Sequence, residues 1–356
     1  MKIAFFNWRD IRNPAAGGAE VYVHQILKRL VEKGHSATLF SSSFPGSSQM
    51  EIIDGIEHIR YACKYLIYPK SLLCYKKHIR GKYDVIVESI NGVPFFTRLF
   101  AKEPVVSLVH QLTRENWYSA LPFPLAFLGY HLEDWMLSLY RNSPAVVPSA
   151  STRNDLEKLG FRQIHIVHGA AEVAPKPVEK QNAVLYLGRL TKSKRVGHAL
   201  RAFSIISENI PDYRLWIAGS GPEEKNLVKL AEELGVSDKT RFLGKVDEET
   251  KSELLSKAKL LLFPAVREGW GLVTLEANAC STPVIGYDVP GLHDSIKDGI
   301  NGCLVPDGDL NGMARSALGL LSDKKRLKRL SASSLEYSKR FSWDKSAEEF
   351  ESVLEA

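Results

Sequence analysis

Short apolar runs alternate with helix-patterned segments along almost the whole chain, and that alternation leaves few folds open. Ile3–Phe6, Ala37–Phe40, Val85–Val87, Val105–Val109 and Ala145–Pro148 read as strands, and Ala19–Lys33 reads as the first helix. A second series begins with the strand Ala183–Leu187 and the helix Val196–Glu208. It continues through Arg214–Ala218, Lys225–Leu234, Arg241–Leu243, Leu254–Lys259, Leu260–Phe263, Leu272–Ala279 and Pro283–Gly286. Strands that alternate with helices predict parallel sheets covered on both faces, an α/β fold.

At 356 residues the chain exceeds one ordinary core and suits two domains. Gly169–Lys180, with Pro175 and Pro177 among small and charged residues, reads as the linker between them. The expected domains are residues 1–170 and 171–340. An amphipathic helix, Trp343–Leu354 within 341–356, follows a break at Phe341–Ser342. Two Rossmann-like halves would face each other across a cleft, each offering the loops at the carboxyl ends of its strands.

Composition narrows the function classes. Hydrophobic residues make up 44% and charged residues 25%, as in soluble globular proteins. No apolar run approaches the ~18 residues of a membrane span. Met1–Asn7 reads as a first strand rather than a signal peptide, so a cytoplasmic location is expected. Cys63, Cys74, Cys280 and Cys303 are scattered, with no Cys-x-x-Cys pair, which argues against a zinc site or a disulfide framework. The net charge of +6 suits anionic substrates or a membrane surface. No dense basic stripe or nucleic-acid module is present, so a nucleic-acid partner is not expected.

Glu268-Gly-Trp-Gly-Leu-Val-Thr-Leu-Glu276 carries the most chemistry. It follows the strand Leu260–Phe263 and enters the helix Leu272–Ala279, so Gly271, Leu272 and Val273 offer backbone N–H groups at the positive end of a helix dipole. Gly269 and Gly271 allow a ligand close to the backbone. On these residues alone, an ordinary strand, turn and helix with one exposed Glu explains the stretch equally well.

A second anion site is expected where Arg9–Glu20 leaves the first strand, with the N–H groups of Gly17, Gly18 and Ala19 facing a phosphate. The loop is neither Gly-x-Gly-x-x-Gly nor a Walker motif, which disfavours a nicotinamide enzyme and a P-loop NTPase. The alternative is a glycine-relieved turn. Arg189 and Lys194, at the end of the strand Ala183–Leu187, can neutralise a departing pyrophosphate, or else stand as solvated helix-entry cations. Gly219-Ser-Gly-Pro222 is a turn that could lie against a base or ribose. His110 ends the strand Val105–Val109 and reads either as a ligand contact or as a structural histidine.

The order Gly17-Gly18-Ala-Glu20, Gly188-Arg189-Leu…Lys194, Gly219-Ser-Gly-Pro222, Phe242-Leu-Gly244, Glu268-x7-Glu276 and Asp298-Gly-Ile-Asn-Gly302 resembles the family-4 retaining glycosyltransferases of the GT-B fold. The resemblance covers nearly the whole chain. It implies transfer of a hexose from an NDP-sugar (UDP or GDP) with retention of configuration and without a metal. Residues 1–170 would be the acceptor domain and 171–340 the donor domain, with the C-terminal helix crossing back to the first.

By the same resemblance, Glu276 holds the ribose, Glu268 and His110 touch the donor sugar, and Gly271 to Val273 contact sugar or phosphate. Arg189 and Lys194 match the pyrophosphate cations, and Gly18 the glycine at the phosphate. The chain departs from the family where Ser281 stands for a common Gly, and where Pro290-Gly291 and Asp294 stand for Gly-Gly and Glu. A GT-B sugar-nucleotide epimerase, a phosphorylase and a non-catalytic sugar-nucleotide-binding protein are the alternatives.

The physics of glycosyl transfer agrees with these roles. Positive charge grows at the anomeric carbon and negative charge on the leaving phosphate, which Arg189, Lys194 and a helix N-terminus stabilise. For the acceptor, Lys64–Lys82 carries Lys64, Lys70, Lys76, Lys77, Arg80 and Lys82 without an acid, interleaved with Tyr65, Leu66, Leu72 and Leu73. That mixture suits anionic lipid headgroups, and so a lipid-linked or other glycan acceptor at a peripheral membrane site, or else a solvated helix face. Trp117–Tyr130 is a second candidate lining, unless it packs in the core.

Overall fold

The computed structural model describes residues 1–356 apart from the side chain of Ala120. It divides into two compact units, Met1–Gly169 with Ser342–Ala356, and Ala170–Phe341.

In the first unit, β1 (Lys2–Phe6), β2 (Ser36–Ser43), β3 (Met50–Ile53), β4 (Ile56–Cys63), β5 (Val85–Ile90), β6 (Val105–Val109), β7 (Ala145–Val147) and β8 (Ile164–Ile166) form one sheet. Its order is β3-β4-β2-β1-β5-β6-β7-β8. The central strands are buried on both faces because helices cover both; all of β5 and all but the first residue of β1 are buried. In the second unit, β9 (Ala183–Leu187), β10 (Arg214–Ala218), β11 (Thr240–Gly244), β12 (Leu260–Phe263), β13 (Val284–Tyr287) and β14 (Gly302–Val305) run parallel in the order β11-β10-β9-β12-β13-β14.

Each sheet therefore reverses its winding once, between β1 and β5 in the first unit and between β9 and β12 in the second. Ligands of open α/β sheets bind at such switch points, beyond the carboxyl ends of the strands. The loops after β9 and β12 are thereby neighbours.

The sheet of the first unit is not wholly parallel: β3 pairs antiparallel with β4. The cause is local. Asp54 and Gly55 have φ of 49° and 78°, the two left-handed residues of a tight hairpin turn, and Asp-Gly is its sequence signal. The segment Gly169–Lys180 is not a free linker either. From Ala174 onward it is strapped to the second unit: Ser252 donates to the Ala174 carbonyl and the Lys176 amide donates to Ser256 Oγ at 2.9 Å. Lys180 Nζ reaches the carbonyls of Ala258 at 2.8 Å and Cys280 at 2.9 Å, which stand at the ends of two helices.

The C-terminal helix Trp343–Glu355 belongs to the first unit. Ser342 caps it, accepting from the Lys345 amide at 3.2 Å. Phe350 stacks on Phe5 of β1 at 6.5 Å, and Trp343 meets the edge of Tyr22 at 5.6 Å. Arg29 holds Asp344 at 2.6 Å, and Lys33 and His35 both reach Glu351 at 2.6 Å.

Candidate functional site

In the second unit the switch point is built by three loops. Gly188–Arg195 follows β9, and its backbone is laced to the loop after β10. Gly188 N donates to Ala218 O at 3.0 Å and Leu190 N to Ser220 O at 3.0 Å. The approach is so close that a Cβ at Gly219 would lie 1.9 Å from the Gly188 carbonyl oxygen, and one at Gly221 2.3 Å from that of Leu190. Backbone packing alone therefore accounts for the glycine at 219.

The loop after β12 is pinned from both sides. Val266 N donates to Ser193 O at 2.9 Å, and Glu268 N donates to Pro290 O at 3.0 Å. Gly291 packs against the Glu268 backbone, where a Cβ would lie 2.0 Å from its carbonyl oxygen. These contacts hold the Glu268 side chain against Lys194, with which it forms an ion pair; the two side chains are 13% and 17% exposed. The ammonium also lies over the Phe263 ring at 5.4 Å. Arg189 is exposed and, among the described residues, its guanidinium makes no hydrogen bond or ion pair. The loop thus presents one neutralised cation and one available cation.

Gly271 takes φ 78° and ψ 60°, a left-handed turn that opens the helix Leu272–Ala279. Thr274 donates back to the Gly271 carbonyl at 2.7 Å through its hydroxyl. Among the described residues the amides of Leu272 and Val273 find no acceptor, as expected of a first helical turn. Trp270, two residues after Glu268, is buried against Phe341 and Tyr337 and anchors the turn.

Glu276 is buried one turn further into the same helix. Its Oε1 accepts from Lys251 Nζ at 2.8 Å, and Lys251 also holds Glu248 at 2.5 Å. Burial opposes the charge on Lys251, but the two carboxylates outweigh it and hold the ammonium above its ordinary pKa. So the two acids of Glu268-x7-Glu276 have separate cations. Lys251 is a site residue the sequence reading missed; its signal is the unused lysine of the helix Glu248–Lys257, whose N-cap Asp247 starts it six residues earlier than periodicity alone gave.

In the first unit, the loop after β1 runs from Asn7 to Gly17. Asp10, fully buried, fastens it by accepting from Arg60 Nε at 2.6 Å, Ser41 Oγ at 3.0 Å and the Arg12 amide at 2.9 Å. The expectation of three available amides at its end needs correction. The Gly17 amide already donates to Glu20 Oε2 at 2.7 Å, the reach-back of a capping box, which leaves Gly18 and Ala19. His110 stands at the end of β6, buried, with Nε2 3.2 Å from Ser89 Oγ and the ring 5.5 Å from Tyr22. Burial pulls its pKa down to about 4, so the imidazole is neutral near pH 7.

No group of His, Cys, Asp or Glu that could hold a metal ion occurs among the described residues. No described helix is long and apolar enough to cross a membrane.

Two parallel-sheet α/β units in one chain, with the C-terminal helix returned to the first, define the GT-B class of fold. Residues 16–174 match the family described as Glycosyltransferase Family 4, and residues 171–336 match Glycosyl transferases group 1. The chain belongs to the family-4 glycosyltransferases of the GT-B fold.

Among relatives, it is 36% identical to the N-acetyl-alpha-D-glucosaminyl L-malate synthase of Bacillus anthracis over 146 residues, 41% of this chain and 38% of that one. The matched stretch thus spans about two fifths of the length of the curated relatives. Among solved structures, the sucrose-phosphate synthase of Thermosynechococcus elongatus superposes with a TM-score of 0.85 at 22% identity, covering 99% of this chain and 98% of that one. HepE of Anabaena, in complex with UDP and glucose, superposes with a TM-score of 0.75 at 15% identity, covering 100% and 99%.

Proposed function

We propose that the chain transfers a hexose from a UDP- or GDP-sugar to an acceptor with retention of configuration and without a metal ion. The observation that carries this reading is the Lys194–Glu268 pair, which ties the two loops at the switch point of the second unit beside the amides of Leu272 and Val273.

A departing nucleoside diphosphate would meet Lys194, the available guanidinium of Arg189 and the helix N-terminus, all of which stabilise negative charge as it develops. Glu276, paired with Lys251, accepts the ribose hydroxyls. Glu268 accepts hydroxyls of the sugar, with Gly271 to Val273 lining its path, and Gly219 shapes the turn beside it. His110, being neutral, acts as a hydrogen-bond partner of the sugar rather than as an acid or base. In the front-face route the leaving phosphate takes the acceptor proton, and Glu268 stays a sugar-orienting group rather than a nucleophile.

On this reading residues 1–170 with the C-terminal helix bind the acceptor and 171–340 the donor. Gly18 lies at the phosphate. Lys64–Lys82 contacts an anionic surface, and the acceptor is a lipid-linked or other glycan. HepE, which holds UDP and glucose, shares the fold and supports a UDP-sugar.

The test is a thermal-shift screen against UDP-, GDP- and ADP-glucose followed by NMR of the product. A donor that binds the native state raises the transition temperature by mass action. Retained configuration in the product supports the mechanism, and inversion refutes it. Turnover of donor to an epimer in the absence of any acceptor would establish an epimerase instead.

A further inference from the structure

The helix Phe123–Ser138 has an unusual surface. Trp117–Tyr130 could have packed in the core, but the structure turns most of this helix outward. Every exposed position on it is apolar except His131: Phe123, Leu125, Phe127, Leu128, Leu132 and Trp135, together with Pro124. Phe123 is 71% exposed and Trp135 59%. At 100° per residue these side chains sweep a continuous arc, while Ala126, Glu133, Met136 and Leu137 occupy the remaining, inward side.

The inward side is firmly held. Glu133 is buried and accepts from the amides of Thr113 at 2.5 Å and Arg114 at 2.9 Å and from Trp117 Nε1 at 3.3 Å. The outward face is therefore a fixed presentation, not a frayed end. An apolar helix face of this size in water signals something that covers it.

Two observations say what covers it. The first is topological. In the order β4-β2-β1-β5-β6-β7, the crossovers from β4 to β5, β5 to β6 and β6 to β7 all step in one direction across the sheet. Right-handed crossovers that step in one direction lie on one face. The basic segment Lys64–Lys82 and the helix Phe123–Ser138 therefore cover the same face of the same sheet. One core confirms it, since it contains Ile67, Cys74 and Ile79 from the first and Leu137 from the second.

The second observation is charge. On that face Lys64, Lys70, Lys76, Lys77, Arg80 and Lys82 are all exposed, interspersed with exposed Tyr65, Leu66 and Leu73. Arg98, Leu99 and Lys102 are exposed on the crossover between the two. The helix itself adds only Asp134, which is paired with Arg114 at 2.6 Å.

We infer that the helix Phe123–Ser138 is a membrane-docking element. Its apolar arc enters the interfacial layer of an anionic bilayer while the lysines of Lys64–Lys82 meet the headgroups. Aromatic and leucine side chains beside cations fit that boundary, where apolar burial and headgroup attraction add. A second copy of the chain would bring the same cations against each other, whereas a lipid surface of opposite sign would not. The inference rests on the reading of Lys64–Lys82 above for the headgroup contact and on the helix for the apolar contact, and the two separate in experiment.

The full chain is sedimented with vesicles of equal parts phosphatidylglycerol and phosphatidylcholine, and with vesicles of phosphatidylcholine alone. The expected result is cosedimentation with the anionic vesicles. It should weaken at least about tenfold in Phe127→Ser/Trp135→Ser, from the apolar area withdrawn, and weaken with salt in the wild type. Brominated lipid should quench the wild-type fluorescence more than that of Trp135→Phe. UDP should raise the transition temperature of the helix variant as it does that of the wild type, which shows that the variant is folded.

If the helix variant sediments like the wild type while Lys76→Glu/Lys77→Glu does not, the helix inference fails and the basic contact survives. If the wild type ignores both vesicles, both fail. If light scattering finds a dimer that Phe127→Ser/Trp135→Ser dissociates, and vesicles go unbound, the face is an interface between copies and the inference is overturned.

Discussion

The pairing of Lys194 with Glu268 yields a sharp thermodynamic prediction about UDP. Lys194→Ala removes a charge-assisted contact to the diphosphate, which is worth about 1.5–3 kcal/mol. It also leaves the Glu268 carboxylate, only 13% exposed, without its cation and facing an incoming anion. Unit like charges at about 4 Å repel by about 4 kcal/mol at an effective dielectric of about 20. Halved for residual solvent, that is about 2 kcal/mol, or roughly thirtyfold in Kd.

Lys194→Ala should therefore weaken UDP by roughly a thousandfold in total. Adding Glu268→Gln should restore about thirtyfold of it, so that the double variant binds more tightly than the single one. Glu268→Gln alone frees the ammonium and should bind UDP at least as well as the wild type while losing sugar transfer. Isothermal titration with UDP measures all four chains of this cycle. If the double variant binds no more tightly than Lys194→Ala, or if Glu268→Gln alone weakens UDP, the pair does not stand at the diphosphate.

Two further outcomes follow from buried groups and close backbones. Burial pulls the pKa of both His110 and His58 down to about 4, below the ~6.5 of an unfolded chain. Their contribution is intact above pH ~6.5 and is lost as pH falls toward 4, by about 2 kcal/mol each at pH 5. Urea unfolding at pH 7 and pH 5 measures it, and an imidazole titrating near 6.5 by NMR would refute it. Gly219→Ala would place a Cβ 1.9 Å from the Gly188 oxygen at φ 143° and should cost at least about 2–3 kcal/mol in urea unfolding. Gly235→Ala, at φ 65° with nothing within 4 Å, should cost only about 1 kcal/mol, and equal losses would contradict the packing argument.

Much of this was legible in the residues, for reasons that can be stated. The strands β9, β10, β12 and β13 of the second unit are buried on both faces, so their apolar runs stand out and place them closely. Arg189, Lys194 and Glu268 could be nominated because each follows such a strand. The partnership between Lys194 and Glu268 could not, because it depends on β9 lying beside β12, and strand order is not written locally.

Lys251 was missed for the same reason, since it meets Glu276 only through helix packing. The strand β3 was missed because it is only four residues long and lies at a sheet edge with Met50 and Ile52 exposed, although Asp54-Gly55 gave the turn away. The helices Leu310–Ser322 and Lys324–Ser338 went unassigned because no strand follows them to mark their place in the alternation. The outward turn of Phe123–Ser138 was hidden because an apolar helix facing lipid and one facing a core share a composition.

The return of the helix Trp343–Glu355 to the first unit has a consequence for synthesis. Ala170–Phe341 is continuous in sequence and has all its strands once residue 341 has emerged. The earlier unit does not. Until Trp343, Ala347 and Phe350 arrive, Phe5, Tyr22 and the neighbouring helix lack the side chains that bury them. The part made first is thus finished last, and through the making of the whole middle of the chain its nascent sheet carries an uncovered apolar face. Such a surface is a target for chaperones and for aggregation. Truncation before residue 343 should therefore damage the N-terminal half of the chain more than the half beside the cut.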